Sequence, residues 1–227
     1  MSNDTQLCAL LPMKASSERV PGKNIRPFAG KPLYCHIIET IERCEKIDRI
    51  IINTDSDAIA RAAVKNFSKV QINCRPSHLC GDLVPMNDII GHDIASVSDE
   101  HFIQTHSTNP LLSMVTLNEA VESYFSSLNR HDSLFSVTRY QSRFYWHDGT
   151  PANHDPNKLI RTQDLPPLYE ENSNLYLFSR SSFVNAGNKR IGLTPQMFEM
   201  NRIEAVDIDE PEDWNLAEVL FKIREKE

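Results

Sequence analysis

Residues 7–24, LCALLPMKASSERVPGKN, join an apolar run directly to a loop that carries three cations. The run 7–11 contains no polar residue, which predicts a short strand buried on both faces. The loop that follows combines hydroxyl groups and backbone amides with Lys14, Arg19 and Lys23. Polyphosphates are bound by such sets of donors and positive charges, although neither a Walker A nor a G-x-G-x-x-G pattern is present. The stretch therefore predicts a buried strand leading into an anion-binding loop, with a solvated basic loop as the alternative.

Apolar runs and helical patterns alternate along most of the chain beyond this stretch. Further strands are predicted at 49–54, 70–74, 101–105, 134–137, 174–178 and 203–209. Helices are predicted at 32–44, 58–64, 89–97, 113–128 and 211–222. This alternation predicts an α/β fold, with a mostly parallel sheet and helices on both faces. Because ligands of such folds bind beyond the carboxyl ends of the strands, the loops after residues 11, 54, 74 and 105 are the candidate site.

Length and composition favour a single domain over residues 1–227, since 40% of the residues are hydrophobic and 24% are charged. No apolar run approaches the roughly 20 residues of a membrane span, and the first residues do not resemble a signal peptide. We therefore expect a cytoplasmic protein. Five cysteines without a C-x-x-C pair predict neither a disulfide framework nor a zinc site. The net charge of −7 argues against a nucleic-acid partner.

Charge is distributed unevenly along the chain. Residues 14–31 hold five cations and one acid, a net charge of +4, whereas residues 199–227 hold ten acids and four cations, a net charge of −6. The acidic segment includes Asp207 and Asp209, which on a strand would project to the same side. Paired carboxylates suit Mg²⁺, although Asp209 would serve equally well as the cap of the following helix.

Two further polar groups follow predicted strands. Residues 104–110, QTHSTNP, place His106 and Thr108 at the expected binding edge, where a proline-terminated turn is the alternative. Arg75 follows the strand at 70–74, with Asp82 a few residues later, and the alternative there is a surface arginine.

The alternation lapses between residues 139 and 172, a stretch rich in Pro, His, Asp and Asn. It is too long to be an idle connection in a compact domain. We interpret it as an excursion that serves substrate binding or a subunit contact.

Together, these motifs resemble the signature of the CMP-sugar synthetases, the acylneuraminate and deoxyoctulosonate cytidylyltransferases. The similar segments, in the family's order, are residues 11–17, 19–25, 29–33, 51–56, 106–111 and 207–213. The resemblance covers essentially the whole chain and is weakest at 139–172. It implies a Rossmann-like nucleotidyltransferase fold with a dimerisation excursion, and hence a homodimer. It also implies activation of a sugar acid by CTP with Mg²⁺ and release of pyrophosphate, for surface polysaccharide synthesis.

The resemblance further implies roles for individual residues. Those expected to bind the triphosphate and stabilise charge on pyrophosphate are Lys14, Ser17, Arg19 and Lys23. Asn24 would meet the phosphate or ribose, and Arg75 and Asp82 would lie near the cytosine and ribose. Asp207 and Asp209 would bind Mg²⁺, with Asp209 also helping to deprotonate the attacking hydroxyl. The remaining candidate substrate contacts are His106, Thr108 and Asn172.

Several positions depart from the sialic-acid branch of this family. Lys14 stands where arginine is usual, which keeps the charge but loses the bidentate fork. Glu18 replaces a lysine, with Arg19 beside it, and His106 aligns with a glutamine. These departures concern the acceptor more than CTP. A nonulosonic acid is therefore the expected acceptor. Deoxyoctulosonate, a phosphonate or another acid is the alternative, and so is a non-catalytic nucleotide-binding relative.

Overall fold

The computed structural model describes residues 6–81 and 83–224. Its strands are β1 (Leu7–Leu10), β2 (Pro27–Phe28), β3 (Lys31–Pro32), β4 (Ile47–Thr54), β5 (Val70–Cys74), β6 (His101–Gln104), β7 (Ser133–Tyr140), β8 (Leu168–Ser179) and β9 (Pro195–Glu199). Its α-helices are α1 (Leu33–Glu42), α2 (Asp57–Asn66), α3 (Met86–Ala95), α4 (Met114–Ser127), α5 (Arg180–Asn185) and α6 (Pro211–Arg224).

Seven of the strands form one sheet in the order β5-β4-β1-β6-β8-β7-β9, while β2 and β3 form a separate hairpin. Strand β1 pairs in parallel with β4 on one side and β6 on the other. The pairs β4–β5 and β7–β9 are also parallel, whereas β8 runs antiparallel to both β6 and β7. The predicted fold class, a mostly parallel α/β sheet, is confirmed.

The absence of polar residues from β1 follows from its position in the middle of this sheet. Ala9 and Leu11 pack into a core that includes residues of α1, α2 and α4. Cys8 and Leu10 face the opposite core, which includes residues of α3 and α5. Both faces of the strand are thus covered by helices, so each of its side chains must be apolar.

Short polar residues set where several helices begin. The hydroxyl of Ser56 accepts a hydrogen bond from the Ile59 amide at the start of α2, and Ser113 caps α4 in the same way.

The strand predicted at 203–209 is wrong. Asn201 closes a turn there, because its side-chain and backbone oxygens accept from the amides of Ile203 and Ala205 at 2.9 and 3.0 Å. The chain then passes beside the loop after β6, where the Ile208 amide donates to the Thr108 carbonyl at 3.0 Å. The alternating apolar residues do not form one buried face of a strand, since Ile208 is fully buried while Ile203 is 49% exposed.

The excursion is shorter than the sequence predicted, because β7 extends to Tyr140 and β8 begins at Leu168. The added residues at the end of β7 and the start of β8 pair with each other. Of the predicted excursion, only residues 141–167 therefore lie outside the sheet. Asn153 holds this segment together by accepting from the Phe144 amide and donating to two backbone carbonyls. Strand β9 and helix α5 were not predicted.

Within the described ranges, no helix is long and apolar enough to cross a membrane.

Candidate active site at the carboxyl edge of the sheet

A cleft of about 570 Å³ opens beyond the carboxyl ends of β1, β5 and β6. Residues from the loops that follow these strands line it, together with parts of the 203–209 segment. The predicted residues that it brings together are Lys14, Ser17, Arg19, Lys23, Asn24, Arg75, His106, Thr108, Asp207 and Asp209. Asp82 lies outside the described residues. The location of the cleft agrees with the binding edge expected for this fold.

The basic loop and the acidic segment meet through ion pairs. Lys23 Nζ donates to the Ile208 carbonyl at 2.6 Å and lies 3.3 Å from Asp209 Oδ1. Arg19 bridges Asp209 Oδ1 at 2.9 Å and Glu210 Oε1 at 3.0 Å. Because the Lys23 side chain is only 11% exposed, its charge is screened less than that of Arg19, which is 54% exposed. Two regions of opposite charge, about 190 residues apart in sequence, therefore form one site.

Asp207 has an unsatisfied carboxylate oxygen in this cleft. Burial raises the pKa of its carboxyl, and the hydrogen bond from Thr108 opposes that rise. Its Oδ1 atom is buried and has no hydrogen-bond partner among the described residues. A buried, unpaired oxygen two residues from Asp209 fits a Mg²⁺ ligand.

The described residues contain no cluster of three or more His, Cys, Asp or Glu side chains suited to a metal. Two carboxylates still fit Mg²⁺, which is commonly bound by one or two carboxylates together with waters and substrate phosphates.

Asn24 connects the two loops that line the cleft. Its Nδ2 donates to the Lys14 carbonyl at 2.9 Å, and its Oδ1 accepts from Ser107 Oγ at 2.6 Å. Both ends of the amide are used inside the protein. In this structure Asn24 therefore sets the shape of the basic loop.

Arg75 lies buried below the cleft, so the surface-arginine alternative is wrong. Its Nε donates to Asn53 Oδ1 at 2.7 Å, and its Nη2 donates to the Asn53 carbonyl at 3.0 Å. Asn53 Nδ2 donates in turn to the buried Asp93 at 2.6 Å. Burial lowers the pKa of Arg75. The chain of contacts from Asp93 through Asn53 holds the guanidinium in one orientation.

His106 is neutral in the cleft and is connected to a residue that the sequence did not point to. Burial, and then the charge of Arg190, lower the pKa of His106 to about 4. Gln104 Nε2 lies 3.1 Å from His106 Nε2, so the imidazole accepts there. Gln104 Oε1 accepts from Arg190 Nη1 at 2.6 Å. Arg190 lines the cleft, but it lies between α5 and β9, where no motif marked it.

Asn172 does not line the cleft. Its Oδ1 accepts from Ser136 Oγ at 2.5 Å and its Nδ2 donates to Thr138 Oγ1 at 3.1 Å, so its amide joins β8 to β7. The next residue, Ser173, has a positive φ of 57° and lines the cleft instead. The predicted substrate contact at Asn172 therefore has no support from its position.

The basic loop and paired aspartates at the carboxyl edge of the α/β sheet suit the phosphates of a nucleotide, and the match of the chain to a cytidylyltransferase model identifies it as a nucleotidyltransferase. More narrowly, the chain belongs to the cytidylyltransferase family, whose sequence model matches residues 8–226.

Two relatives are similar over nearly their full length. Pseudaminic acid cytidylyltransferase of Campylobacter jejuni is 26% identical over 230 residues, which cover 96% of each chain. CMP-N,N'-diacetyllegionaminic acid synthase of Legionella pneumophila is 27% identical, with 97% of this chain and 98% of that protein covered. The solved structure of CMP:2-keto-3-deoxy-manno-octonic acid synthetase complexed with CTP superposes with a TM-score of 0.68 at 12% identity, over 96% of this chain and 99% of that one. This last likeness supports the fold.

Proposed function

We propose that this protein is a CTP-dependent nucleotidyltransferase that converts a nonulosonic sugar acid into its CMP-sugar and releases pyrophosphate. The observation that carries the proposal is the meeting of the basic loop with Asp207 and Asp209 in one cleft, on a chain of the cytidylyltransferase family. The named acceptors of the two sequence relatives, pseudaminic acid and N,N'-diacetyllegionaminic acid, favour an acceptor of this class.

In the proposed reaction, the hydroxyl on the anomeric carbon of the acid attacks the α-phosphorus of CTP. The new O–P bond forms as the bond to the bridging oxygen breaks, and pyrophosphate leaves with the electron pair. Asp209 takes up the hydroxyl proton. Lys14, Arg19 and Lys23 would neutralise the charge that develops on pyrophosphate, so positioning and electrostatics supply most of the rate.

Asp207 and Asp209 would hold Mg²⁺, as the unsatisfied Oδ1 of Asp207 supports. When bound, the ion would neutralise phosphate oxygens. Asp209 Oδ1 also pairs with Lys23 and Arg19, so these cations orient its carboxylate.

Arg75 is proposed to contact the cytosine. Asn53 and Asp93 hold its guanidinium rigidly, and its Nη1 makes no hydrogen bond to the described residues. A fixed donor of this kind suits a base carbonyl, since little side-chain entropy is lost on binding.

We also propose a homodimer formed through the excursion. Large apolar side chains are exposed in this segment. Tyr145 is 57% exposed, Trp146 is 64% exposed and Leu159 is 97% exposed. Several large apolar side chains exposed within one segment favour a subunit contact there.

The test of the reaction is pyrophosphate release with Mg²⁺, in which each of the four nucleoside triphosphates is offered with a panel of sugar acids. The panel holds N-acetylneuraminic, legionaminic, pseudaminic and deoxyoctulosonic acids. We expect release with CTP and a nonulosonic acid. Asp209→Ala should abolish it, whereas Glu212→Ala, which removes an exposed carboxylate next to the site, should leave it unchanged. Failure of CTP to bind in a thermal-shift assay would refute the nucleotide assignment, and CTP binding without turnover would refute the acceptor assignment.

A further inference from the structure

Arg190 is a cation in the wall of the cleft that lacks a carboxylate partner. Its guanidinium donates to Gln104 Oε1 and lies 3.7 Å from the centre of the Tyr176 ring. No ion pair joins it to any carboxylate in the described parts of the chain. Glu171 acts on it only at longer range, and that side chain is exposed and bonded to the Tyr176 hydroxyl.

Another arginine shows how this fold satisfies a guanidinium that is purely structural. Arg180 donates to the backbone carbonyls of Ile94, Val97 and Asp99 at 2.7–3.2 Å. Arg190, by contrast, interacts with two side chains, Gln104 and Tyr176, and has no carboxylate partner, although burial lowers its pKa. A cation removed from water without matching acceptors is costly to the folded state, so an anion in the cleft is its natural partner.

Gln104 orients this guanidinium. The Nε2 of Gln104 donates to the Thr105 carbonyl at 2.9 Å and faces His106 Nε2, so its Oε1 is directed to Arg190. His106 is neutral and therefore adds no positive charge next to Arg190. The arrangement presents a fixed guanidinium in the wall of the cleft, with more N–H donors than Gln104 and Tyr176 engage.

The position of Arg190 relative to the phosphate-binding loop indicates which anion it meets. His106 is close enough to Arg190, Lys23 and Asp209 for the charges of all three to act on its pKa. Arg190 is thus placed near the reacting region but outside the loop proposed to hold the triphosphate. The second substrate of the proposed reaction is itself an anion.

We propose that Arg190 binds the carboxylate of the acceptor sugar acid and thereby positions its attacking hydroxyl. This inference rests on the proposed function. In the ring form of a 2-keto sugar acid, the carboxylate and the attacking hydroxyl are substituents of the same carbon. A bidentate contact between guanidinium and carboxylate therefore sets the direction from which the hydroxyl approaches phosphorus.

The test measures steady-state kinetics of Arg190→Met and Arg190→Lys with the sugar acid that the wild type uses best. For Arg190→Met we expect kcat/KM for the acid to fall about 100-fold, the loss of a charge-assisted hydrogen-bond pair, while the KM for CTP stays within about twofold. Arg190→Lys should be intermediate, because it keeps the charge but not the fork. Lys189→Met, which removes an exposed neighbouring cation, is the matched control and should behave as the wild type.

Esterification of the acceptor separates recognition from damage to the fold. The methyl ester should be about 100-fold poorer than the free acid for the wild type, whereas Arg190→Met should use both equally badly. The midpoint of thermal unfolding of Arg190→Met should stay close to that of the wild type, since the cation it removes is partly buried and has no carboxylate partner.

Three results would overturn the assignment. The first is an unchanged kcat/KM for the acid in Arg190→Met, and the second is an increase in the KM for CTP instead. The third is a variant that still prefers the free acid to the ester as strongly as the wild type does.

If the wild type turns over no sugar acid, the proposed function has failed. Calorimetric titration of the panel acids into wild type and Arg190→Met, with CTP present, then decides whether Arg190 binds a carboxylate. Should Arg190→Met not fold, Arg190→Lys and the ester decide.

Discussion

His106 makes the stability of this protein sensitive to acid in a predictable direction. Its pKa of about 4 in the folded chain compares with an ordinary value of 6.5. Below pH 6.5 the unfolded chain binds a proton at this position that the folded chain does not bind, until the pH approaches 4. The free energy of unfolding therefore falls as the pH falls through this window. Between pH 7.5 and pH 5.0 the loss from this one residue is about 2 kcal/mol.

The perturbation that isolates this effect is His106→Gln. Glutamine offers an acceptor to Gln104 Nε2 but does not titrate, so the variant lacks the contribution of residue 106 to the pH dependence. Urea unfolding of both proteins at pH 7.5, 6.5 and 5.0 gives the difference in their free energies of unfolding. This difference should move by about 2 kcal/mol in favour of the variant between pH 7.5 and pH 5.0.

A matched control removes a histidine from the surface. His78 is exposed, and His78→Gln is unfolded in urea over the same range for comparison. If the difference for His106→Gln were constant, to within about 0.5 kcal/mol, the claim that the fold holds His106 neutral would be refuted.

Three further outcomes are expected. Asp207→Asn should lower pyrophosphate release at least about 100-fold without lowering the thermal midpoint, because the carboxylate it removes has a buried, unpaired oxygen; near-normal turnover would contradict the metal role. Gly192→Ala should cost about 1–3 kcal/mol in urea unfolding, because the added Cβ would lie 2.2 Å from Asp132 Oδ1, whose carboxylate accepts from two backbone amides nearby; an unchanged midpoint would show that the loop relaxes freely. Trp146→Asp should convert a dimer into a monomer in light scattering at equal protein concentration, and a wild type that is itself monomeric would disprove the proposed contact.

The predicted elements that the structure confirms are mostly those whose burial is visible in the local pattern. Strand β1 is apolar at every position because helices cover both of its faces, and α2 begins where a serine can cap it. The alternating pattern at 203–209 predicted a strand wrongly. Its apolar residues do not share one buried face, because Ile208 is in the core and Ile203 is exposed. Strand β9 was missed because it begins with a proline and carries half-exposed side chains, which local propensity does not favour.

Most of the candidate site was also predictable, because its residues follow strands that end at one edge of the sheet. Two corrections needed the tertiary structure. The resemblance implies a substrate contact at Asn172, but its amide is used between β7 and β8. Arg190 was not marked at all, because nothing in the residues around it distinguishes a cleft arginine from a surface one.

The amino-acid sequence by itself determined most of the strands and helices of the main sheet, the edge at which the site lies and the opposite charges of its two halves. These properties follow from the spacing of apolar residues along the chain and from the types of residue that follow each strand. Only the tertiary structure decided which groups meet, namely Lys23 with Asp209, Arg75 with Asn53 and Arg190 with Gln104. Such contacts join residues far apart in the chain, and their strength depends on distance and burial, which no local pattern encodes.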